Sequence, residues 1–158
     1  MIARILAFVT AIGWAGASWA ACSSPGACMC SVSLTTVAFG NYNPQAPSPT
    51  DTVGTLSISC SSPDAVNSTF SVALSPGMSG NVNARTMVSG AHPLYYNLYS
   101  NAARTAVWGD GSGGGESVAS GFPSSRSSVK LSIYGRIPAS QNAWVGVYHD
   151  AVTVTVSY

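Results

Sequence analysis

Chemistry in this chain would have to come from few residues. His149 and Asp150 are neighbours and could supply two members of a nucleophilic triad, a histidine base oriented by a carboxylate. Adjacent residues on an extended strand point to opposite faces, so a solvated pair at a strand edge is the better reading. Ser112 sits in the glycine-rich run 109–115, but Asp110 stands where a nucleophile elbow needs glycine. The same run lacks the Lys-Ser/Thr ending of a phosphate loop and reads as a surface loop around an Asp110-Gly111 turn. The five carboxylates show no spacing that suggests a glycosidase pair. These motifs point away from an enzyme, and they imply no cofactor.

The four cysteines are Cys22, Cys28, Cys30 and Cys60. Cys28-Met29-Cys30 is too tight for the usual zinc spacer, and His92 and His149 are far apart in sequence, so a metal site is not expected. An even count suits disulfides in an oxidising compartment. Cys30 shares its alternation phase with Val32 and Leu34, and Cys60 shares its phase with Leu56 and Ile58. Both sulfurs therefore face the same apolar layer, which favours Cys30–Cys60 and leaves Cys22 with Cys28. Cys28–Cys60 remains an open alternative. The aromatic stretch Tyr95-Tyr96-Asn97-Leu98-Tyr99 and Trp108 could form a sugar platform, with Tyr96 and Trp108 as possible surface ligand contacts. At strand spacing half of that stretch belongs to the core, and core packing is the stronger reading.

The elements that would position these residues are strands. Period-two alternation recurs in Cys30-Val32-Leu34, Leu56-Ile58-Cys60, Phe70-Val72-Leu74, Val129-Leu131-Ile133 and Val152-Val154-Val156-Tyr158. The first run changes phase across Thr35-Thr36, as at a bulge. Turn chemistry separates the runs at Asn43-Pro44, Ser62-Pro63-Asp64, Ser75-Pro76-Gly77 and Gly109-Asp110-Gly111. Short strands with such punctuation predict an all-β, immunoglobulin-like sandwich.

Residues 1–20 are expected to be a signal peptide. Arg4 begins a short positive region, an apolar run follows from Ile5 to Ala17, and Ser18 and Ala20 are the small residues before cleavage. The run is too short to span a bilayer comfortably. The remaining domain, 21–158, carries five basic and five acidic residues. A neutral balance leaves no electrostatic footprint for nucleic acid, and no membrane insertion of the mature chain is expected. Charged residues are only 7% of the chain, which does little to oppose self-association and is tolerable in an assembly subunit.

Several stretches carry a family likeness. They are 94–111 (Leu94-Tyr95-Tyr96-Asn97-Leu98-Tyr99 running on to Trp108-Gly109-Asp110-Gly111), Val37-Ala38-Phe39-Gly40-Asn41-Tyr42, Tyr134-Gly135-Arg136-Ile137-Pro138, and the ending from Tyr148-His149-Asp150 to Tyr158. In this order they resemble the spore coat protein U domain family, which includes subunits of archaic, Csu-type chaperone–usher pili. The resemblance implies an exported subunit with an incomplete sandwich that lacks its last strand. It also implies a periplasmic chaperone that lends a strand, an outer-membrane usher, and neighbouring subunits that complete the fold at the cell surface. Val152, Val154, Val156 and Tyr158 are the candidate strand-acceptor residues, since an alternating edge strand invites β-addition. Residues 21–29 carry a Pro-Gly turn and two cysteines, which makes a poor donor strand and suits a tip or cap position. The expected use is adhesion or biofilm formation; the alternative is a self-contained secreted carbohydrate-binding or adhesin module.

Overall fold

Side chains alternate in and out along a strand, so the apolar phases above decide which residues meet between layers. The computed structural model describes residues 4–5, 29–61, 69–122 and 126–157. Its strands are β1 (Arg4–Ile5), β2 (Met29–Leu34), β3 (Gly40–Asn41), β4 (Thr50–Ser61), β5 (Thr69–Leu74), β6 (Arg85–Ser89), β7 (His92–Tyr99), β8 (Val118–Gly121), β9 (Arg126–Ile137) and β10 (Val154–Ser157). The only helix among the described residues is a single 3₁₀ turn, Gly77–Ser79. The turn at Ser62-Pro63-Asp64, along with Cys22, Cys28 and Tyr158, lies outside the described residues.

Five strands form one sheet in the order β2-β4-β9-β7-β6, and three form another in the order β10-β5-β8. β1 and β3 make a separate two-residue ladder, so cleavage after residue 20 would remove a partner from β3 alone. The inward phases pack as expected. Leu56 and Ile58 of β4, Val72 and Leu74 of β5 and Ile133 and Ile137 of β9 are all buried, joined by Phe39, Tyr42, Trp108 and Tyr148. Cys30 stands directly opposite Cys60 in the β2–β4 ladder, and a disulfide joins them. Their Cα atoms are 4.1 Å apart, close to the ~4.5 Å of a pair that exchanges no main-chain hydrogen bonds. The phase change at Thr35 is the point where β2 leaves its ladder. Thr35 N–H still donates to Thr55 O, and the Thr35 hydroxyl accepts the Thr55 N–H at 2.7 Å.

The stretches that carry the family likeness serve as framework. Gly135 leaves room for the Phe39 ring, since a Cβ there would lie 2.7 Å from Phe39 Cζ. Arg136 makes a two-pronged contact to Asp51 across the β4–β9 pair, and Arg104 approaches the same carboxylate at 3.3 Å. The hydrogen bond from Arg136 holds the Asp51 carboxyl below its usual value despite partial burial. Arg104, in a left-handed conformation at φ 57°, also donates to Gly135 O, and Asn101 Oδ1 accepts from the N–H groups of Thr105 and Ala106.

A buried polar cluster ties the two sheets together. Arg85 is fully buried and donates to Ser75 O, Leu74 O, Val82 O, Trp108 O and Asn97 Oδ1. Asp150, also buried, accepts from Tyr96 Oη at 2.6 Å and from the N–H groups of Met78 and Ala151. Burial lowers the Arg85 guanidinium from its usual value, with Tyr96, Asp150 and Asp110 acting in the opposite sense. Burial, then the neighbouring Asp150, raises the Tyr96 hydroxyl far above the ordinary phenol range. Among the described residues no fully buried side-chain nitrogen or oxygen lacks a partner, the condition under which buried polarity is tolerated.

Candidate functional site

β10 pairs with β5 in the register Val154↔Leu74, Thr155↔Ala73, Val156↔Val72 and Ser157↔Ser71. Just before the strand, Ser75 N–H donates to Thr153 O at 2.9 Å, which identifies Thr153–Ser75 as a hydrogen-bonded pair. In an antiparallel ladder such pairs alternate. Thr155 and Ser157 therefore direct their N–H and C=O groups at β5, and Val154 and Val156 direct theirs at the opposite edge. That edge has no strand beside it among the described residues.

The larger sheet ends in a similar way at β2. The Thr35–Thr55 hydrogen bond fixes the alternation there, so the main-chain groups of Cys30, Val32 and Leu34 face away from β4. Their side chains lie on the same face as Leu56 and Ile58, which are wholly buried. Val32 is nevertheless 39% exposed, and Cys30 and Leu34 are half-buried. An apolar row therefore continues past the part of the sheet that its neighbour covers. Among the described residues, two sheet edges without a neighbouring strand and one half-exposed apolar row are the candidate features.

The structure redistributes the residues that the sequence singled out. Val152 and Val154 point inward and are buried in the core, so their side chains do not line an open groove. What β10 leaves open is its main chain, together with the half-buried side chain of Val156. Tyr158 lies outside the described residues. Tyr96 and Trp108 are core residues and not surface ligand contacts. Tyr96 is 4% exposed with its hydroxyl on Asp150, and Trp108 is 1% exposed with Nε1–H donated to Val72 O. His149 is exposed, but Asp150 is buried with its carboxylate on Tyr96 Oη, so the pair is not the solvated one expected; the two side chains do part to opposite environments. Among the described residues no cluster of three or more His, Cys, Asp or Glu side chains could hold a metal. No helix among them is long and apolar enough to cross a membrane.

Sequence reasoning missed Val32 and Leu34 as open-edge residues, because alternation alone cannot tell an edge strand from a central one. It also missed Trp144 and His92, which stack beside Tyr95, the one residue of the aromatic stretch that stays exposed. The run Trp144-Val145-Gly146-Val147 was the available signal.

Comparison with known proteins agrees with this architecture. The chain is 31% identical over 133 residues to Protein U of Myxococcus xanthus, covering 78% of this chain and 72% of that one. Among solved structures it is similar to a chain of the CsuC–CsuE chaperone–tip adhesion subunit pre-assembly complex from the archaic chaperone-usher Csu pili of Acinetobacter baumannii. That match has a TM-score of 0.53 at 24% identity and covers 82% of this chain. This chain spans only 40% of the length of that solved chain, so the likeness establishes the immunoglobulin-like fold of one part of it. The spore coat protein U domain model matches residues 17–155, nearly the whole length. With the fold, the framework residues and this match in agreement, the chain belongs to the spore coat protein U domain family.

Proposed function

We propose that this chain is an exported structural subunit of a chaperone–usher pilus or a surface coat, assembled by β-strand complementation. One observation carries the reading: Val154 and Val156 turn their main-chain groups to an edge with no partner strand among the described residues, in a sheet of three strands facing one of five. A strand added there would extend the smaller sheet to four strands. A periplasmic chaperone supplies that strand during export, and a neighbouring subunit supplies it after passage through the outer-membrane usher. The similar solved chain comes from a complex described as chaperone with tip adhesion subunit, which supports a chaperone as partner. The domain reading, a leader over 1–20 and one sandwich over 21–158, belongs to the same proposal. So do surface location, adhesion or biofilm use, and a tip or cap position, the last resting on the turn-containing composition of residues 21–29.

The test is to extend the chain after Tyr158 with a short linker and an alternating apolar strand. The expected product is a stable monomer. Four newly paired main-chain groups, at about 0.5 kcal/mol each, give a gain of about 2 kcal/mol. The unextended chain should polymerise or unfold more readily. Equal denaturant midpoints and equal monomer content for the two chains would count against complementation.

A further inference from the structure

The edge of the molecule formed by the start of β7 and the loop 138–147 carries a second feature, separate from the strand-acceptor edges. His92, Pro93, Tyr95, Gln141, Asn142 and Trp144 line an open depression of about 330 Å³. Trp144 and His92 stack with ring centroids 4.6 Å apart and planes 17° from parallel. Trp144 is 62% exposed and Tyr95 54%.

The loop that presents these rings to water is tightly held. Gln141 takes the position of a missing strand beside Tyr95: its Oε1 accepts the Tyr95 N–H at 2.9 Å and its Nε2 donates to Tyr95 O at 2.8 Å. The Tyr42 hydroxyl, from a buried ring, donates to Pro138 O and accepts the Gln141 N–H. The Tyr148 hydroxyl, likewise on a buried ring, accepts the Trp144 N–H and donates to Trp144 O. Gly146 packs so closely on Ser89 that a Cβ would overlap its hydroxyl. Ala143 is the residue that turns toward the core, which leaves Trp144 pointing outward. Two buried tyrosines and a glutamine thus fix a loop whose product is an exposed aromatic platform.

We infer that this depression is a binding site for a neutral saccharide, with a pyranose ring laid against Trp144 and Tyr95. The lining contains no Asp, Glu, Lys or Arg, and its one ionisable ring, His92, is stacked on Trp144, so the depression holds no permanently charged group for an ionic ligand. Aromatic faces bind the apolar C–H face of a sugar ring, and a site also needs polar groups for the equatorial hydroxyls. Asn142 is exposed and its carboxamide makes no hydrogen bond to the described residues, so it is free to supply both a donor and an acceptor. The cavity lies at the small end of the range for ligand sites, a size suited to one or two sugar rings. This inference does not depend on strand complementation, since the depression involves neither β2 nor β10.

Trp108 is buried and Trp144 exposed, and the other two tryptophans, Trp14 and Trp19, fall in the expected leader. In the exported chain a ligand-induced change in emission therefore reports on Trp144, over a constant background from the shielded Trp108. Titration with cellotriose, triacetylchitotriose and maltotriose to about 10 mM should give a saturable emission change with at least one of them. Trp144→Ala should weaken binding at least about tenfold by isothermal calorimetry with an unchanged melting temperature, and Trp144→Phe should restore most of it. Asn142→Ala should weaken binding while leaving the fluorescence of the free chain unaltered. No saturable response to any of the three sugars, or equal binding by Trp144→Ala, would overturn the assignment. So would saturable binding of phosphatidylcholine vesicles in the absence of any sugar response.

Discussion

Replacing Arg85 with methionine is expected to destabilise the domain by about 4 kcal/mol or more, because one buried side chain satisfies five acceptors, four of them in buried contacts and the Ser75 carbonyl part-buried. Methionine has a similar length and keeps much of the packing, so the loss isolates the guanidinium. Without it four carbonyl oxygens, of Leu74, Ser75, Val82 and Trp108, lose a buried donor, as does Asn97 Oδ1. Each orphaned buried acceptor costs about 1–3 kcal/mol, and water entering the vacated space recovers only part of it. Asp150 would also lose the favourable field of a nearby cation while staying buried. For a domain of this size the melting temperature should fall by roughly 15 °C. Arg85→Lys should rescue little, because one ammonium has three donors and no planar fork. Calorimetry or urea unfolding checks this, and a loss below about 1 kcal/mol would show that the carbonyls find other partners.

The second large effect concerns β2. Its edge position gives it only β4 as a neighbour among the described residues, and the Cys30–Cys60 bond secures it there. Changing both cysteines to serine should cost about 3–4 kcal/mol, the chain-entropy value for a loop of this length. The loss should be local as well as global. Amides of Ser31 and Ser33, which point at β4, should exchange faster than those of the β4–β9 ladder, because an edge strand without its staple frays first. Reduction of the wild-type chain should reproduce the effect. An unchanged denaturant midpoint in the double variant would mean that β2 is held by its ladder alone.

How much of the fold was legible in the sequence depends on the scale of the force involved. Alternation is a local signal, and it located the cores of β2, β4, β5, β9 and β10 as well as the pairing of Cys30 with Cys60. It could not say which sheet each strand joins or which strands become edges, since those depend on partners distant in sequence. Val152 and Val154 illustrate the limit: their phase marked them as strand-acceptor candidates, and only the fold shows that their side chains are already covered. Tyr96 and Trp108 illustrate another. An aromatic ring with a polar tip looks the same in sequence whether its partner is a ligand or, as in this fold, a buried Asp150 or the carbonyl of Val72. Arg85 gave no signal at all, because its five acceptors come from segments between residues 74 and 108 that meet only in the fold.

If β10 offers its main chain to an incoming strand, the ladder geometry makes the effect specific to alternate residues. Hydrogen exchange of the single amides from Thr153 to Ser157 should be followed before and after the added apolar strand occupies the edge. The amides of Val154 and Val156 should exchange fast in the free chain and become protected by about a hundredfold or more on complementation, while Thr155 and Ser157, already bonded to β5, change far less. Uniform protection of all these amides in the free chain, or no change at Val154 and Val156 when the strand is present, would contradict strand acceptance at β10.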